Sequence, residues 1–132
     1  MTQVVIDASV VLKWFRREGE RHGDEARHLR GQYEAGALNV IAPPLLMLEL
    51  VSVAGRRWNL DEKALVTMAA SLVDLGFELV EPDLQRVASW TAAGLTAYDA
   101  AYVTVAESAG VPLITDDDAI LAVAPAVAQP LA

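Results

Sequence analysis

Five short apolar runs, each separated from the next by one or two helix-length segments, most constrain what this chain of 132 residues can fold into. The first four are Q-V-V-I-D (Gln3–Asp7), L-N-V-I-A (Leu38–Ala42), F-E-L-V (Phe77–Val80) and V-P-L-I-T (Val111–Thr115). A-V-A-Q (126–129) supplies a last edge strand. Their length and β-branched content predict buried strands. The segments between them read as helices. Asp7 or Ser9 is placed to cap the first, which runs through A-S-V-V-L-K-W-F-R-R, and Pro43 and Pro44 open the helix L-L-M-L-E-L-V-S-V-A-G-R-R. Leu65, Met68, Leu72 and Leu75 recur as one apolar face, and Gly76 follows to end that helix. Strands alternating with helices predict parallel crossover units, hence an α/β fold with a central, mostly parallel sheet of four to five strands and helices on both faces. No repeat, low-complexity tract or linker interrupts residues 1–132, so a single domain is expected. Ligands of such sheets bind beyond the carboxyl ends of the strands, where Asp7 and the triplet Asp116, Asp117 and Asp118 fall.

Composition narrows the chemistry. The net charge of −8 argues against a broad electrostatic grip on nucleic acid. Yet six of the ten basic residues (Lys13, Arg16, Arg17, Arg21, Arg27, Arg30) lie in the first thirty positions, and none follows Arg86. An acidic pocket rimmed by a basic N-terminal element fits that asymmetry, as do two unlike solvated faces. With no cysteine there is no disulfide framework. The longest apolar run, Val40 to Leu48, is far shorter than the ~20 residues a membrane span needs, and no signal-peptide pattern opens the chain. A cytoplasmic protein without a membrane segment is the expectation.

Four carboxylates stand in apolar surroundings. Glu49 lies among Leu45, Leu46, Leu48, Leu50, Val51 and Val53, with no cation three or four residues away. Asp99 follows Thr96 at capping-box spacing, and Asp7 and any one of the triplet can cap a helix. Each has a structural explanation alone; four together at the rim of one sheet are harder to dismiss. Two like charges ~4 Å apart repel by roughly 4 kcal/mol at an effective dielectric near 20, so converging carboxylates must protonate, splay or bind cations. Oxygen-only ligands, with just His22 and His28 in a polar segment, select Mg²⁺ or Mn²⁺ over zinc. Such an ion accepts phosphate oxygens, which points to phosphoryl chemistry.

The order V-V-I-D-A-S-V-V-L-K-W, then P-P-L-L-M-L-E-L-V-S-V, then L-T-A-Y-D-A-A-Y-V-T-V-A-E-S-A-G-V-P-L-I-T-D-D resembles the PIN-domain ribonucleases and, in size, the VapC-type toxins of type II toxin–antitoxin pairs. That resemblance spans nearly the whole chain and implies an acidic catalytic and metal site of Asp7, Glu49, Asp99 and Asp117, supported by Ser9 and Thr115. Asp116 stays open as an alternative to Asp117. Ser52 stands where the pattern has asparagine, a departure that touches no ligand. The resemblance further implies one or two Mg²⁺ or Mn²⁺ ions, an activated water attacking an RNA phosphodiester, and products with 5′-phosphate and 3′-hydroxyl ends. Lys13, Arg16, Arg17, Arg56 and Arg57 are candidates to contact RNA, although Arg56 and Arg57 would suit a helix C-terminus in any protein. A homodimer and a cognate VapB-type antitoxin are the partners implied. Two other readings compete: a non-catalytic, receiver-like Mg²⁺ module, disfavoured by the absence of lysine after Lys63, and a degenerate PIN scaffold that only binds a partner. A D-x-D phosphatase fails because A-S follows Asp7.

Overall fold

The computed structural model describes residues 2–16 and 21–132. Five strands form one sheet: β1 (Thr2–Ile6), β2 (Leu38–Ala42), β3 (Glu78–Leu79), β4 (Leu113–Thr115) and β5 (Ala128–Pro130). Seven helices are described between them: α1 (Ala8–Phe15), α2 (Gly23–Glu34), α3 (Leu45–Arg56), α4 (Glu62–Asp74), α5 (Leu84–Ala92), α6 (Ala97–Ala109) and α7 (Asp118–Val123). The strand order is β3-β2-β1-β4-β5 and every pairing is parallel. Consecutive buried residues Val4, Val5 and Ile6 on β1, and Val40, Ile41 and Ala42 on β2, show that both faces of the sheet are covered, since alternate side chains point to opposite faces.

The chain winds outward from β1 through β2 to β3, then returns to the other side of β1 to lay down β4 and β5. The reversal leaves a crevice between the carboxyl ends of β1 and β4, the switch point at which such sheets take ligands. α6 makes the return crossing. It is apolar on every side and buried from Ala100 through Ala106, the signature of a helix inside the domain rather than on it. Thr96 caps it by accepting from the Asp99 N–H at 3.1 Å, and Gly110 ends it in the left-handed region at φ 68°.

Edges depart from the sequence reading. β3 is only two residues long because Phe77 turns into the core, edge-on to Tyr33 at 5.1 Å and Trp14 at 5.9 Å. β5 begins two residues later than expected and ends on Pro130, which an edge strand tolerates because no neighbour needs its missing N–H. Met68 and Leu72 of α4 are buried as the periodicity requires, while Leu65 and Leu75 lie at the half-buried border. Among the described residues, no helix is long and apolar enough to cross a membrane.

Candidate active site

Parallel pairing of Val5 with Leu113 and Ile6 with Ile114, carried one step further, sets Asp7 against Thr115. The side chains use that proximity. The Thr115 hydroxyl donates to Asp7 Oδ2 and accepts from the Asp117 N–H at 3.0 Å. On the other side, the Ser9 hydroxyl donates to Asp7 Oδ1 at 2.6 Å and accepts from the Asp116 N–H at 3.1 Å. Two hydroxyls therefore tie the two oxygens of one carboxylate to two successive main-chain amides. Asp7 sits at the N-cap position of α1, but its side chain makes no cap bond, contrary to the capping role expected of it. Only 4% exposed, it has its carboxyl pushed up to about 6, chiefly by burial and also by the Asp117 charge, against the pull of the Ser9 and Thr115 hydroxyls, while the Val10 N–H bonds the Asp7 main-chain carbonyl at 3.2 Å.

The remaining acids approach from helices. Asp99, in the first turn of α6, is half-buried, and burial followed by the Asp117 charge raises its carboxyl. Glu49 projects from the second turn of α3 and accepts from the Tyr102 hydroxyl at 2.6 Å. Burial raises its carboxyl most, the Tyr102 bond opposes this, and the charge of Asp99 adds to it. Asp117 thus acts on both Asp7 and Asp99, and Asp99 on Glu49. These four carboxylates form one electrostatically coupled set. They are not drawn onto one point: among the described residues, no three Asp, Glu or His side chains are gathered closely enough to hold a metal ion. The reason is visible at three of them, where protein donors hold the oxygens. Asp7 is clasped by two hydroxyls, Glu49 by Tyr102, and Asp117 Oδ1 caps α7 by accepting from Ala119 and Ile120 N–H at 2.8 and 3.1 Å.

The T-D-D-D run separates into three environments. Asp116 turns away from this set toward two cations and an imidazole, with Lys13 Nζ at 3.3 Å, Arg21 at 3.3 Å and His22 Nδ1 at 2.8 Å. Burial would raise its carboxyl, but the bonds from His22 and Lys13 and the Lys13 charge outweigh that and lower it. Asp117 faces the acidic set and caps α7 at once, so one residue of the triplet takes both roles. Asp118 is 88% exposed, 4.0 Å from Arg21.

The candidate RNA contacts fare unequally. Lys13 is buried, 7% exposed, and faces Asp116, so it is an internal cation and not the surface contact expected. Arg16 is exposed with its guanidinium 5.5 Å above the Trp58 ring. Arg56 and Arg57 are exposed at the C-terminal end of α3, where Arg56 shares the stripe of Glu49 about two turns, or ~10 Å, away. Arg17 lies outside the described residues. Sequence reasoning assigned no role to Tyr102, though its place three residues after Asp99 on a helix puts the two on one face. Nothing local could have revealed Arg21 and His22, whose partner lies more than ninety residues away.

Residues 4–125 match the PIN domain family. The chain belongs to that family. PIN domains are typically nucleases and generally use divalent metal ions. Among solved structures, this PIN domain is similar to PAE2754 from Pyrobaculum aerophilum, with a TM-score of 0.68 and 24% identity over 98% of this chain and 91% of that one, a likeness of fold. No curated protein matches the chain. The receiver-like reading falls with the family assignment.

Proposed function

We propose that this PIN domain is a Mg²⁺- or Mn²⁺-dependent endoribonuclease, the toxin of a type II toxin–antitoxin pair acting in the cytoplasm. The observation that carries the catalytic part is the set of Asp7, Glu49, Asp99 and Asp117 at the β1/β4 switch point, where three carboxyls are raised and the nearby cations face Asp116 instead. An all-oxygen set with excess negative charge suits a hard divalent ion, which would offset the burial cost that chiefly raises these carboxyls and the mutual repulsion that adds to it. Asp7, Asp99 and Asp117 would hold it, with Glu49 direct or through water. When bound, the ion supplies charge to the scissile phosphate and lowers the pKa of an attacking water.

The chain's own groups orient this chemistry. Ser9 and Thr115 fix both Asp7 oxygens, so the carboxylate cannot rotate out of the crevice. Tyr102 leaves one Glu49 oxygen open for a water or an ion. Exposed Arg16, Arg56 and Arg57 are available to the RNA backbone. Leu48 at 75% and Leu84 at 78% exposed, with Val66, Val73 and Tyr98 also exposed, give the apolar surface that a homodimer or an antitoxin would cover. Purified protein should cleave a structured RNA with Mn²⁺, stop in EDTA, and lose cleavage in Asp99→Asn; expression without antitoxin should arrest growth only with the native residue. Cleavage that persists in EDTA removes the metal. A protein that neither cleaves RNA nor binds Mn²⁺ is a partner-binding PIN scaffold instead.

A further inference from the structure

We propose that the Lys13–Asp116 ion pair is a positioning device: it clamps α1 to the end of β4 so that Ser9 and Thr115 hold the Asp7 carboxylate in register with Asp117. The inference rests on the reading of Asp7 and Asp117 as metal-holding acids. Lys13 lies on a helix whose only other polar residue is Ser9, between the buried residues Val10, Val11 and Trp14. A leucine or methionine would fill such a place without the cost of desolvating an ammonium, so a charge there is better explained by register than by stability. Lys13 also stands four residues after Ser9, on the same face of α1, and both reach the same residue. Ser9 Oγ takes the Asp116 main-chain N–H, while Lys13 Nζ takes its carboxylate. A residue gripped at backbone and side chain can neither slide nor rotate.

That grip is transmitted. The Asp117 N–H is bonded to Thr115 Oγ1, whose proton goes to Asp7 Oδ2; the Asp116 N–H is bonded to Ser9 Oγ, whose proton goes to Asp7 Oδ1. Movement of the turn would therefore reach both oxygens of Asp7 and redirect Asp117 together. Arg21 and His22 hold Asp116 from its other side. Its charge thus keeps partners when Lys13 is removed, and what is lost is the side-chain tie to α1, the Ser9 bond to the Asp116 main chain remaining.

The experiment compares wild type, Lys13→Met and Asp116→Asn, the last preserving shape and the main-chain donor. Mn²⁺ affinity by calorimetry and kcat for RNA cleavage should each fall about 10-fold in both variants, the scale of losses at groups supporting metal ligands, with KM for RNA within about two-fold of wild type. A raised KM with a shallower salt dependence and unchanged Mn²⁺ affinity would make Lys13 a phosphate contact and overturn the proposal, as would no effect. Amide hydrogen exchange on metal-free protein gives an independent readout. Protection at Asp116 and Asp117 should drop about 10-fold relative to the Val5 amide, which bonds the Pro112 carbonyl across the sheet. A uniform or absent loss contradicts the device. Should wild type itself neither bind Mn²⁺ nor cleave RNA, the metal reading fails while the exchange data still decide the pair.

Discussion

Asp116 and Asp117 are adjacent in sequence and opposite in surroundings. On the α1–α2 flank, Asp116 is paired with Lys13 and Arg21, hydrogen-bonded to His22, and its carboxyl is lowered. On the α3–α6 flank, Asp7, Asp99 and Glu49 are coupled to Asp117 and to one another by charge, with carboxyls that rise. One flank has settled its charge internally, and the other has left it to be settled from outside. The difference teaches that a run of acids is not a site by virtue of charge. What matters is which members the fold has already paired.

If that division is right, substitutions on the two flanks should differ in size. Asp117→Asn should lower RNA cleavage by at least about 100-fold if it holds the activating ion as proposed, whereas Asp118→Asn should stay within about two-fold. Equal losses in a cleavage assay would erase the distinction between the environments.

A second effect runs opposite to activity. A rise of Asp7 from 3.8 to about 6 means the folded state binds an extra proton between those pH values. Stability from this group is then fully present below about pH 4 and is lost as pH rises through 6, by ~3 kcal/mol. Asp7→Asn should accordingly abolish cleavage while stabilising the metal-free protein by ~1–3 kcal/mol at pH 7, a gain that vanishes near pH 4. Urea denaturation at the two pH values checks this. A destabilised variant at pH 7 would mean that the Ser9 and Thr115 bonds outweigh the burial cost.

Smaller effects belong to the supports. Tyr102→Phe removes the hydroxyl that steadies Glu49 and should cost about 1 kcal/mol of stability with a several-fold drop in kcat. Arg56→Ala, about two helical turns from Glu49, should raise KM for RNA by no more than a few-fold, measured at two salt concentrations to expose a phosphate contact.

The sheet was legible because β-branched runs and helical periodicity are local signals, and Leu38–Ala42 was found with its bounds intact. Phe77–Val80 was overcalled, since whether Phe77 continues a strand or enters the core depends on Trp14 and Tyr33, distant in sequence. The absence of a local cation near Glu49 was read correctly, yet its partner is a neutral phenol fifty-three residues away. Lys13 misled for the same reason. At helical spacing with Arg16 it resembles a surface stripe, and only the seating of β4 beside α1 shows that it points inward. Sequence placed Asp7, Asp99 and the triplet at strand and helix ends and Glu49 within a helix; which of them lacked a counter-charge was a property of tertiary structure.

The central proposal is that the acidic flank binds a divalent cation, and thermal denaturation with and without Mn²⁺ tests it without reference to any RNA. A ligand that binds only the folded state at about 100 times its Kd stabilises by ~2.7 kcal/mol. Wild type at pH 7 should therefore gain several degrees in Tm in excess Mn²⁺, and Asp117→Asn should lose most of that gain while Asp118→Asn keeps it. A wild-type Tm that does not respond to Mn²⁺, or a response that survives Asp117→Asn unchanged, would contradict the account.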